Sequence, residues 1–151
     1  MAALKDRLRE DLTAAMKARD QVRTRTLRMA LTSVTKEEVA GESARELSDD
    51  EVIGVLTREA KRRREAADAF AAVGREEQAA AERAEGAVLD AYLPAQLSDK
   101  EIAAMVAAVI DETGASGMAA MGQVMKAVTP RVAGRADGAR VAAEVRRRLA
   151  G

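Results

Sequence analysis

Two short stretches fix where helices must begin: Ser48-Asp49-Asp50-Glu51 and Ser98-Asp99-Lys100-Glu101. In each, the serine hydroxyl can accept from the backbone amide three residues on. The glutamate can reach back to the serine amide. Two of the donors that a helix start leaves unpaired are then satisfied reciprocally, so each stretch reads as a capping box. A chain with two such starts is committed to helix over both of the segments that follow.

The rest of the sequence agrees. Leu4, Leu8, Leu12 and Met16, with Ala15, make an apolar stripe for a first helix, and Arg19-Asp20 marks its break. Leu27, Ala30, Leu31 and Val34 share one face of a second helix that ends near Gly41. The helix opened by Ser48 runs to about Val73, with an inward seam of Ile53, Leu56, Ala60, Arg63, Ala67 and Phe70. At ~1.5 Å per residue it is nearly 40 Å long. Gly74 ends it, and a fourth helix from about Glu76 presents Ala81, Ala84, Val88, Ala91 and Tyr92. The short turn between the last two implies an antiparallel hairpin.

Tyr92-Leu93-Pro94-Ala95-Gln96-Leu97 interrupts the pattern, because Pro94 pushes Leu93 out of helical geometry. A domain boundary is therefore expected here, with a four-helix domain over 1–93 and a three-helix domain over 94–151. In the second, Ile102, Met105, Val106, Val109 and Ile110 fill one face, and Gly114 is the stop. Met118, Met121, Met125 and Val128 form the next stripe, and Val141, Val145 and Leu149 the last. The fold class is all-α. Phe70 and Tyr92 are the only aromatics, and β-branched residues never cluster as a strand needs.

The chain has no Cys and no His. This excludes thiolate nucleophiles, zinc–thiolate sites and imidazole acid–base or metal chemistry. Glycine-rich phosphate loops are absent. Glu59, Glu65, Asp68, Glu82 and Glu85 read as helix-surface charges rather than a catalytic pair. No catalytic residue, metal or cofactor is expected. No apolar run reaches the ~18 residues of a membrane span, and MAALKDRLRED lacks the apolar core of a signal peptide. A cytoplasmic protein without membrane contact is expected.

Net charge is zero but unevenly placed. Residues 1–47 carry 10 basic and 8 acidic groups, 48–93 carry 7 and 11, 94–117 carry 1 and 4, and 118–151 carry 7 and 2. The C-terminal stretch is the most basic, so an anionic partner is compatible with a neutral total. Its Met118, Met121 and Met125 suit a core stripe better than a groove for a partner helix. In Thr129–Gly138, Thr129 is expected to cap a turn begun by Pro130 at its first position, Gly134 to supply a turn, and Asp137 to cap the last helix. Arg135 and Arg140, beside that helix start, are alternatively placed to receive a phosphate, although Asp137 competes for the same amides. Neither arginine lies on an apolar stripe, so stability is expected to change little when both are replaced. Arg146-Arg147-Arg148 suits the negative end of the last helix. Lys61-Arg62-Arg63-Arg64 cannot all share one face: Arg63 either pairs with Glu82 or Glu85 or helps grip a polyanion.

Taken in order, LSDDEVIGVL, KRRREAADAF, AYLPAQLSDKEI, TGASGMAAMGQVMKAV and GRADG resemble the YqeY-like, GatB/YqeY-tail family over nearly the whole chain. The resemblance implies an N-terminal helical bundle and a C-terminal three-helix unit. It implies kinship with the tail of the B subunit of the glutamine-dependent aspartyl/glutamyl-tRNA amidotransferase, which helps grip the outer corner of tRNA. Catalysis in that enzyme sits in parts this chain does not have. By motif, the residues carried over are Met121, Gly122, Met125, Lys126, Gly134, Arg135, Ala136 and Asp137. Gly122 is expected to admit a close neighbouring backbone. Gly117 departs from the serine that many relatives carry, which leaves Ser116 as the expected cap of the Met helix.

The expected function is a non-catalytic binding module for tRNA or a tRNA-bearing protein complex. Lys126, Arg131, Arg135 and Arg140 are its candidate nucleic-acid contacts, with Arg62, Arg63 and Arg64. The alternatives are a protein-interaction adaptor using the Met-rich face or the long hairpin, and an accessory to carbon–nitrogen ligase activity with glutamine as amido-nitrogen donor.

Overall fold

The computed structural model describes residues 3–132 and 135–151. They form seven α-helices and one 3-10 turn, with no strand among the described residues. They divide into two compact units, Met1–Leu93 and Pro94–Gly151, each around its own apolar core.

The first unit contains α1 (Ala3–Lys17), α2 (Gln21–Glu38), α3 (Asp49–Ala72) and α4 (Glu76–Asp90). Both halves of the Ser48 capping box are present: the Glu51 amide donates to Ser48 Oγ at 3.2 Å, and the Ser48 amide to Glu51 Oε1 at 3.4 Å. Leu47, just before the cap, is buried beside Leu8, Leu27, Val34 and Leu56. This adds a hydrophobic anchor at the entry of α3. The Leu47 amide is satisfied by buried Glu38, which also accepts from Lys5 at 2.7 Å. The Lys5 hydrogen bond, followed by the Leu47 amide, holds the Glu38 carboxyl below its ordinary range. Gly74, at φ +77°, makes the left-handed turn from α3 into α4.

Three sequence expectations for this unit are corrected. Met16 is 49% exposed, whereas Leu8 and Ala15 are buried. Each step of four overshoots a full helical turn by roughly 40°, so three steps carry Met16 about 120° away from Leu4. On α3, Val52, Val55 and Glu59 join Leu56, Ala60 and Ala67 inside, while Ile53 and Phe70 are half-buried. On α4, Ala81, Ala84 and Ala91 face out, and Ala79, Glu85, Gly86 and Leu89 face in. The inward side of α4 carries Glu82 and Glu85, which meet Arg63 of α3.

The second unit contains α5 (Asp99–Thr113), a 3-10 turn (Met118–Ala120), α6 (Met121–Val132) and α7 (Gly138–Ala150). Its core is dominated by valines: Val106 and Val109 from α5, Val124 and Val128 from α6, Val141 and Val145 from α7. Fully burying each contributes about 1.5–3 kcal/mol. The Ser98 capping box is complete, and Leu97 is buried ahead of it as Leu47 is ahead of Ser48. Gly114 closes α5 in the left-handed conformation, at φ +65°.

Here too the structure differs from the sequence reading. The inward stripe of α6 is Val124, Val128 and Val132. Met121 and Met125 pack at its flank, and Met118 is exposed. Ser116 does not cap the Met helix. Gly117 precedes the 3-10 turn at φ +75°, with no side-chain cap. Pro130 does not start a new turn. It lies inside α6, and the Thr129 hydroxyl donates to the Met125 carbonyl at 2.6 Å, within the same helix. The proline removes the amide that would donate to the Lys126 carbonyl, and α6 ends two residues later. No single helix among the described residues is long and apolar enough to cross a membrane.

Candidate nucleic-acid interface

Ahead of α7, Arg135 is held by its main chain. The Arg135 amide donates to the Val132 carbonyl at 2.8 Å, and the Arg135 carbonyl accepts from the Leu97 amide at 2.7 Å. Ala136 packs on the apolar core. Asp137 caps α7 by accepting from the Ala139 amide at 3.0 Å, as its position before Gly138 requires. The Asp137 part of the capping reading therefore holds, and its carboxylate competes with any phosphate at the Ala139 amide. Gly134 lies outside the described residues.

The basic side chains of the unit divide into two groups. Arg131 on α6 grips Glu112 on α5 with both terminal nitrogens. That hydrogen bond holds the Glu112 carboxyl below its ordinary range and raises Arg131. Arg140 donates to Asp99 Oδ1 at 2.6 Å and to the Leu97 carbonyl at 3.3 Å. Arg147 and Arg148 both bind Glu144, which is held down to about 2 by hydrogen bonds from Arg147 and then Arg148. By contrast, Lys100 on α5, Lys126 on α6, Arg135 in the turn and Arg146 on α7 are exposed, with no carboxylate at ion-pair distance among the described residues.

Of the candidate contacts, then, Lys126 and Arg135 are available to an outside anion, while Arg131 and Arg140 spend their directed donors within the unit. Sequence reading accounted for Arg146 by its place at the helix end, where it favours the helix dipole. Its exposure adds it to the available cations. Gly122 does not admit a neighbouring backbone, for a Cβ placed there meets nothing within 4 Å.

In the first unit the run at 62–64 is split. Arg62 points outward and reaches Glu59 at 3.4 Å, and Arg64 lies 4.0 Å from Asp90. Arg63 is only 14% exposed, between Glu82 at 3.4 Å, Glu85 at 3.5 Å and Glu59 at 3.9 Å. The expected pairing with Glu82 and Glu85 is what forms. Arg63 is thereby withdrawn from any polyanion, since a phosphate would have to displace three carboxylates. Ser33 and Arg25 complete the cluster, donating to Glu59 at 3.2 Å and Glu85 at 2.9 Å.

Among the described residues, no group of three or more acidic side chains is placed to hold a metal ion. One basic feature escaped the sequence reading: a groove of about 830 Å³ along α2, lined by Arg19, Arg25 and Arg28. Its signal was the absence of any acid between Gln21 and Lys36.

The model of the YqeY-like protein family matches residues 5–149, across both units. No curated protein matches the chain.

Proposed function

The chain belongs to the YqeY-like protein family, and from that premise we propose that it is a binding module whose C-terminal unit contacts the phosphates of tRNA. One observation carries this reading. In a unit where four arginines are held by its own carboxylates, Lys100, Lys126, Arg135 and Arg146 are left exposed and unpaired among the described residues. The resemblance of Met121–Asp137 to the tRNA-gripping tail of the amidotransferase B subunit supports the same partner. The described residues offer no stacking platform for bases, because neither aromatic lies in this unit. Affinity in this reading comes from Lys/Arg–phosphate contacts and falls steeply with salt. Titrating tRNA against the full chain at several salt concentrations, with and without Lys126 and Arg135, tests it. A second reading, a protein-interaction adaptor, is favoured by the groove on α2.

A further inference from the structure

We propose that the groove along α2 is a docking site for an acidic, amphipathic helix of a partner protein. From Lys17 to Lys36 the chain carries six basic residues, Lys17, Arg19, Arg23, Arg25, Arg28 and Lys36, against Asp20 alone. The groove takes Arg19, Arg25 and Arg28 from this stretch and sets Met16 and Met29 between them, with Gln21, Thr24 and Thr32. Lining positions on α2 run from Gln21 to Thr32, about three turns or roughly 17 Å at 1.5 Å per residue. That length matches a helix of three to four turns.

The chemistry of the lining selects the occupant. Arg19 and Arg28 have no carboxylate partner among the described residues. Arg28 instead lies against the Met16 sulfur at 3.7 Å, and Arg25 binds Glu85 through Nε. Guanidinium groups of this kind favour carboxylates, which they bind in a fork. Met16 is nearly half exposed, an apolar and adaptable surface that a phosphate backbone would leave uncovered. Arginines interleaved with methionines therefore complement acids interleaved with apolar side chains, the surface of an amphipathic helix.

Backbone geometry points the same way. Four described residues have positive φ: Gly74, Gly114, Gly117 and Arg19. Three of these turns use glycine, the residue for which the conformation carries no steric penalty. At the fourth, between α1 and α2, the chain holds an arginine at φ +57°, and its side chain lines the groove. This left-handed residue closes α1, with the Asp20 amide donating to the Ala15 carbonyl at 3.0 Å, and the cap fixes where Arg19 stands at the groove.

The test is a display selection of 16-residue peptides, randomised over Asp, Glu, Ala, Leu, Met, Phe and Lys, against the full chain. Enriched peptides are expected to be acidic, with apolar residues three and four apart. Their binding to Arg19→Glu/Arg28→Glu protein should be weaker by about tenfold or more, and by several-fold to Met16→Ala. Thr32→Trp, which fills the groove at an exposed position without changing charge, should weaken it comparably. Lys126→Ala/Arg135→Ala should leave it unchanged, which separates this site from the tRNA reading. Enrichment without acidic amphipathic character overturns the proposal, as does binding indifferent to the groove variants. So does finding that these variants weaken instead a 16-nucleotide RNA, or self-association of the chain.

Discussion

Arg140 and Asp99 meet at 2.6 Å, and through them the first turn of α7 is tied to the first turn of α5. The same guanidinium reaches the Leu97 carbonyl, while the Leu97 amide binds the Arg135 carbonyl. Arg140 therefore belongs to the framework that positions the α6–α7 turn. The expectation that stability changes little on its replacement is therefore sharpened into a small, specific loss. Both side chains are well exposed, so solvent screening keeps the pair to about 0.5–1 kcal/mol. Urea unfolding of Arg140→Ala, Asp99→Ala and the double variant should show the singles destabilised and a coupling of about 0.5 kcal/mol. Strictly additive effects would remove Arg140 from the framework.

Arg63 presents a larger case of the same kind. Truncating it to alanine leaves Glu82 without its cation, and Glu59 and Glu85 held only by Arg62 and Arg25 at the edge of the α3–α4 seam. A loss of up to about 3 kcal/mol is expected, the low end for breaking a buried charge network, because two of the three carboxylates keep a second cation. Arg63→Ala with Glu82→Gln and Glu85→Gln should recover part of that loss, because the uncompensated charge goes with it. Recovery absent in chemical denaturation would mean that the arginine acts only through its packed stem.

Two backbone positions predict gains. Arg19→Gly relieves the left-handed arginine and should raise stability by about 1 kcal/mol. Gly122→Ala places a methyl in open space near the start of α6, and should raise it by up to about 1 kcal/mol. Thermal unfolding measures both. If Gly122→Ala is stabilising yet weakens tRNA binding, the glycine is there for the close approach of a ligand.

Stability should fall at both pH extremes. Glu51 is held down to about 2, first by the hydrogen bond from Arg45 and then by the Ser48 amide, and Glu144 likewise by its two arginines. An unfolded glutamate titrates near 4.3, so these contributions are complete above that pH. They are lost as pH falls toward 2. Tyr92 is raised to about 12, by burial and then by its hydrogen bond to Asp11. Its contribution is complete below about 10 and is lost as pH rises toward 12. Glu51→Gln and Glu144→Gln should flatten the acid limb of a stability–pH profile, and Tyr92→Phe the alkaline limb. Unchanged limbs would contradict these assignments.

What could be read from sequence followed from local rules. Ser48, Ser98, Gly114 and Asp137 act where short-range geometry put them, and the Arg63 pairing followed from a charge on an apolar seam. What could not be read depended on the neighbour. The inward side of α4 meets Arg63 across the hairpin, and Glu85 is an interior residue there. The valines of α6 pack inside because α5 and α7 meet that side, and the methionines, equally apolar and helically spaced, fall at its edge. Arg131 and Arg140 looked like available cations because Glu112 and Asp99 lie 19 and 41 residues away in the chain.

The division between engaged and available cations is the centre of this account, and the salt dependence of tRNA binding measures it most directly. Each phosphate contact contributes up to about −0.9 to the slope of log K against log salt. Lys126→Ala/Arg135→Ala should flatten the slope by roughly one to two. Arg131→Ala/Arg140→Ala should leave it nearly unchanged, at a temperature where both proteins are folded. Equal flattening by the two pairs, or no binding by the unmodified chain at low salt, would contradict the account.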